Sequence, residues 1–157
     1  MTELTAAVVE TARFAADQWD QPPRLYALAR RSDLDGLEDR MPARAKDASA
    51  GMLIPIAQDP LPRGDPAEVL ARIQWPPAVP GCVLVTEVRI AFPGTGDQPA
   101  EEAQGKQARL CIGVLREKDQ TAQHACCLQE RGIDELIIGP DLADDLVAAL
   151  LGTLSEP

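Results

Sequence analysis

The residues best suited to chemistry are Cys126 and Cys127, which follow closely on His124, the one histidine in the chain. A thiolate beside an imidazole makes a nucleophile or a redox centre, and the same groups bind metal. The spacing also fits a plain strand over residues 124–128. Side chains alternate along a strand, so His124 and Cys126 share a face and Cys127 takes the other. Free cysteine buries readily, which makes the strand the more economical reading. A zinc site needs four ligands, and one histidine with scattered cysteines does not supply them. Cys82 and Cys111 lie inside apolar runs, where a thiol behaves as a small hydrophobe. The four cysteines form no C-x-x-C.

Other catalytic sets fail on residue type. A serine hydrolase triad would need His124 as its base, and no G-x-S-x-G is present. Carboxylate pairs such as Asp17/Asp20 and Asp144/Asp145 are what charged helix faces ordinarily produce. Aromatic residues at 3% are too few for a sugar-binding cleft. Gly94 and Gly96 have no lysine in Walker spacing behind them, so they form no phosphate loop. No catalytic, cofactor-binding or metal-ligating residue is assigned, and the chain is expected not to be an enzyme.

Composition narrows the partners. The 157 residues carry 15 basic and 25 acidic side chains, a formal net charge of −10. Such a chain has no electrostatic footprint for nucleic acid or for an anionic membrane. No apolar run is long enough to span a bilayer, so no membrane insertion is expected. Met1-Thr2-Glu3-Leu4 lacks the basic start and apolar core of a secretion signal, and the expectation is a cytoplasmic protein with reduced thiols.

The elements follow from periodicity. Leu4, Val8, Ala12, Ala15 and Trp19 make one stripe of a helix over residues 3–19, ended by Pro22-Pro23. Arg24–Arg30 reads as a first strand. Residues 32–64 are irregular, with an apolar patch at 51–56 broken by Pro55. Asp65 caps a short helix with Pro66 at its first position and Glu68 in capping-box spacing. Trp75 folds back onto that helix. Residues 82–92, 107–116 and 122–129 read as three strands, and the first alternates, with Cys82, Leu84, Val88, Ile90 and Phe92 on one face. Residues 135–138 suggest a short further strand. Asp141 then caps a final helix with Asp144 and Asp145 in its first turn.

Helices and strands segregate in this order, which is the α+β class. The expected architecture is one domain over residues 1–157. It has a mostly antiparallel sheet of four to five strands, with the N- and C-terminal helices packed on one face. Segments near 32–64 and 93–106 are expected to be flexible. Seven acids and one base lie in residues 130–157, a net −6. The candidate interaction surface comprises Asp20, Gln21 and Arg24 at the first corner, Met52 and Ile54 in the apolar patch, and Asp141, Asp144 and Asp145 at the last helix.

Three segments, 19–28, 61–85 and 139–142, carry a likeness. They include Trp19-Asp20-Gln21-Pro22-Pro23-Arg24, Trp75-Pro76 and Gly139-Pro140-Asp141-Leu142. Over nearly its full length, apart from 32–50 and 93–106, the chain resembles a family of actinobacterial conserved hypothetical proteins. That family has no assigned activity, so the resemblance implies a cytoplasmic bacterial protein and transfers no catalytic residue. The expected function is a non-enzymatic protein-binding module, an adaptor or chaperone-like partner, as a homodimer or with another protein. The alternatives are a thiol-dependent enzyme or redox protein using Cys126 or Cys127 with His124, and a small-ligand sensor.

Overall fold

The computed structural model describes residues 2–15, 18–34, 52–62, 65–90, 106–116, 122–139 and 143–154. Of the segments expected to be flexible, 35–51 and 63–64 of 32–64 and all of 93–106 but Lys106 lie outside them, as do the strand-end Phe92, the hairpin at 117–121 and the Asp141 cap.

Helix α1 (Glu3–Phe14) starts where the Thr2 hydroxyl accepts from the Thr5 amide at 3.0 Å. Glu3 in its first turn and Arg13 in its last complement the helix dipole. Strand β1 (Arg24–Arg30) follows, then a 3₁₀ turn at Arg31–Leu34. Strand β2 is Leu53–Pro60 and helix α2 is Pro66–Leu70. Strands β3 (Gly81–Ile90), β4 (Lys106–Arg116), β5 (Ala122–Glu130) and β6 (Ile137–Gly139) precede helix α3 (Asp144–Leu154).

The six strands form one open sheet in the order β2-β1-β3-β4-β5-β6, and every pairing is antiparallel. The α+β class stands, with six strands where four to five are expected. The extra strand is β2, in a stretch that reads as irregular because of its prolines. Pro55 and Pro60 lack a donor, and an edge strand tolerates that on its outward side.

The expectation of both terminal helices on one face is corrected. Helix α1 packs Leu4, Val8 and Ala12 against Tyr26, Leu28, Val83, Cys111 and Cys127. Helix α3 packs Val147, Leu150 and Leu154 on the opposite face, against Cys82, Leu84, Ile112 and Cys126, and Leu70 of α2 joins it there. The cause lies in β3, where Cys82-Val83-Leu84-Val85 is apolar on both sides, so both sides need cover. Each fully buried Leu or Val side chain contributes roughly 1.5–3 kcal/mol.

Gly113 sets how closely α1 approaches. A Cβ there would overlap Val8 Cγ2 and stand 3.0 Å from Leu4 Cδ1. On the other face, Arg116 holds the Trp75–Pro80 loop. Its Nε donates to the Val79 carbonyl at 3.1 Å and its Nη2 to the Trp75 carbonyl at 3.2 Å. The Trp75 amide in turn donates to the Thr153 carbonyl at 2.8 Å, tying the loop to α3. Among the described residues, no helix is long and apolar enough to cross a membrane.

Candidate functional site

Two places on this frame combine exposure with organised chemistry. The first is the corner between α1 and β1. The helix ends at Phe14 rather than running on to Trp19. The Gln18 amide bonds back to the Ala15 carbonyl at 2.9 Å, and Arg109 Nη2 of β4 donates to the Gln18 carbonyl at 2.7 Å. This bond ties the segment after the helix to β4. Trp19 is half-buried at the corner. The Arg109 guanidinium lies 4.3 Å from its ring centroid and that of Arg131 5.4 Å. Both are within cation–π range.

Asp20 stands at this corner with φ +61°, a left-handed conformation that aspartate accepts more readily than most residues. Gln107 Nε2 donates to its Oδ1 at 3.1 Å, and Arg131 Nη1 reaches its two oxygens at 3.2 and 3.1 Å. The Gln107 hydrogen bond, with the Arg131 charge behind it, holds the Asp20 carboxyl below the ordinary range against the opposing effect of desolvation. Gln107 links onward through Nε2 to Glu87 Oε1, and Glu87 Oε2 accepts from the Gln21 amide at 2.7 Å. Gln107, Glu87 and Arg109 share one sheet face because β3 and β4 pair Glu87 with Arg109. The network thus clamps residues 18–21 to the sheet.

Beneath it lies a cleft of about 30 Å³, lined by Gln18, Gln21, Arg24, Tyr26, Glu87 and Arg109 among others. One water needs about 10–15 Å³ by the same measure. The cleft has room for about two or three waters and not for a metabolite.

The second place is the far sheet edge. A turn at Glu130–Ile133, closed by the Ile133 amide on the Glu130 carbonyl at 3.1 Å, leads out of β5. Gly132 sits in it with φ +87°, where a side chain would be strained. Gln129 Nε2 donates to the Ile133 carbonyl at 2.8 Å and braces the exit. Leu136 packs onto the α1 core. Ile133, Ile137 and Ile138 are 47%, 51% and 48% exposed. Asp134 and Glu135 between them are exposed as well. Ile138 pairs with Cys127 and Ile137 with Leu128, so the two isoleucines point to opposite faces of the edge.

A match of sequence pattern covers nearly all of this frame, from residue 4 to residue 155. The chain belongs to the PPA1309-like protein family. The match takes in the Trp19–Arg24 corner and β6 together with α1 and α3. No curated protein matches the chain, and no solved structure does.

The sequence-derived interaction residues fall in separate places. Asp20, Gln21 and Arg24 are together at the corner, with Arg24 half-buried against the cleft. Met52 is 44% exposed just before β2, while Ile54 is 2% exposed and faces inward, so it offers no surface. Asp144 and Asp145 are exposed at the start of α3. The partners that fix the corner, Glu87, Gln107, Arg109 and Arg131, come from β3, β4 and the turn after β5, and no local pattern announces them. The edge isoleucines had a signal. Ile137-Ile138 beside Asp134-Glu135 is apolar on both faces yet flanked by charge, in a strand of three residues.

Cys126 and Cys127 separate as alternation requires, one into each core. All four thiols are buried. Burial pushes the Cys127 and Cys82 thiols up to about 11, and that of Cys111 higher still. Thiolate, the reactive form, is scarce at neutral pH in such surroundings.

Proposed function

We propose that the chain is a non-enzymatic protein-binding module, of the adaptor or chaperone-like kind, working in the cytoplasm. The observation that supports this most is the exposure of Ile133, Ile137 and Ile138 together at one sheet edge. An apolar sheet edge open to water is a surface that another chain can cover. The surroundings of the thiols weigh against the thiol-dependent alternative, and the size of the corner cleft weighs against a metabolite sensor there.

The test is affinity capture from a lysate of the native host, comparing wild type with an Ile137→Lys/Ile138→Lys variant. A protein retained by wild type and lost with the folded variant supports the reading. Absence of any retained protein, with both preparations folded, overturns it.

A further inference from the structure

The two edges of the sheet are built differently. At one edge, β2 carries Pro55, Asp59 and Pro60, with residues 57–60 exposed. Proline and charge are two of the devices by which proteins stop strands from adding to an edge, and shortness, which β6 has at three residues, is another. At the other edge, Ile137, Ile138 and Gly139 of β6 include neither proline nor charge. Its two isoleucines project to opposite faces, so a strand laid alongside would meet one apolar side chain above and one below.

Charge selects the occupant. Exposed Asp134 and Glu135 precede β6, and exposed Asp144 and Asp145 open the helix that follows it. The basic residue of the preceding turn, Arg131, is engaged by Asp20 and Gln107. Among the described residues, Arg13 of α1 and Arg109 of β4 are further cations on the α1 face, near Cys127 and Cys111, and Arg109 is engaged by the Gln18 carbonyl and the Trp19 ring. A second copy docked edge to edge would bring acids against acids, in a chain already at −10.

We propose that β6 takes up, as a seventh strand, an extended segment of a partner protein in which apolar residues alternate with or are flanked by lysine or arginine. This deepens the protein-binding reading above and rests on it. Main-chain hydrogen bonds would supply the attachment, the isoleucines an apolar grip, and the acids the preference for basic sequence.

The test uses the full chain and a fluorescein-labelled peptide of alternating lysine and valine, about ten residues long, followed by fluorescence anisotropy at low salt. Three peptides accompany it: one with its backbone N-methylated, one with serine for valine, and one with glutamate for lysine. Expected is saturable binding of the lysine–valine peptide, at least about tenfold tighter than any of the three. Ile137→Lys/Ile138→Lys should abolish it, and Asp134→Lys/Glu135→Lys should weaken it at least about fivefold. Both pairs are exposed, and circular dichroism verifies that each variant is folded. Equal binding of the N-methylated peptide would show charge attraction without strand addition and overturn the proposal. So would sedimentation showing a wild-type dimer that Ile137→Lys/Ile138→Lys dissolves, because the occupant is then a second copy. A host protein captured equally by wild type and by the edge variant, with no peptide binding, overturns the edge while leaving the protein-binding reading in place.

Discussion

Gly113→Ala is the sharpest probe of how the first helix rests on the sheet. The added Cβ overlaps Val8 Cγ2, lies 3.0 Å from Leu4 Cδ1, and stands at ordinary contact distance, 3.6 Å, from Val83 Cγ2. Val8 and Leu4 are each 1% exposed, so neither can swing into solvent. The helix must lift, and overpacking of this kind costs about 1–3 kcal/mol. Replacing glycine also narrows the unfolded ensemble, which returns about 0.4–1 kcal/mol. The net expectation is a loss of about 1–2 kcal/mol, read by urea unfolding, with Tm lower by roughly 2–8 °C. Val8→Ala alone removes two buried methyl groups and costs about 2 kcal/mol. In the double variant the space opened by Val8→Ala receives the new methyl, so the losses should fall short of additive by at least about 1 kcal/mol. A neutral or stabilising Gly113→Ala, or additivity within about 0.5 kcal/mol, would refute the close-approach argument. Gly81→Ala should be worse, because its Cβ overlaps the Val114 carbonyl oxygen, and backbone cannot yield as a side chain can.

Asp65→Ala removes the acceptor for the Ala67 amide at 3.1 Å, and should cost about 1 kcal/mol in thermal or urea unfolding. The Asp20 carboxyl is held below its ordinary value of 3.8, so its contribution is present above that pH and is lost as pH falls through the folded value. An NMR titration should find it low, and Gln107→Ala should raise it; an unchanged value would remove Gln107 as the main cause. The Cys127 thiol titrates near 11 when folded against 9.0 when exposed, so the neutral form favours the fold. That contribution is complete below pH 9 and is lost as pH rises toward 11, so urea midpoints should decline across that window. Native thiols should resist iodoacetamide at pH 7.5 and react on unfolding; rapid labelling of Cys126 or Cys127 would restore the thiol-dependent reading.

Local patterns made some elements plain. Arg24–Arg30 is a strand with the bounds that its sequence suggests, and β3, β4 and β5 lie where the sequence places three strands. The Asp65-Pro66 helix start is also as expected, although the helix stops at Leu70. The two-sided sheet was present in Cys82-Val83-Leu84-Val85, where consecutive apolar residues outweigh the alternation further along the strand. Strand β2 was hidden by its prolines, which break regularity in the sequence without preventing an edge position. The end of α1 was hidden for another reason. Trp19 fits the helical stripe, whereas in the fold it lies against the distant Arg109 and Arg131, which no local pattern brings near. The corner residues Asp20, Gln21 and Arg24 could be picked out from their setting beside proline and tryptophan. Their partners on β3, β4 and beyond β5 could not, because only strand register brings them near.

The strand order carries a consequence for synthesis. Helix α1 is made before the strands it packs on, and although Tyr26, Leu28, Leu53 and Val83 supply part of that sheet surface, Cys111, Gly113, Ala125 and Cys127 come from the final third of the 157 residues. Strand β1 likewise pairs with β2 at once but gains its second neighbour only when β3 emerges. A chain leaving the ribosome therefore leaves the Leu4–Val8–Ala12 stripe incompletely covered until β4 and β5 are made. Long-range closures of this kind slow folding and leave apolar surface open to other chains meanwhile. Slowing translation should lengthen that exposure rather than relieve it.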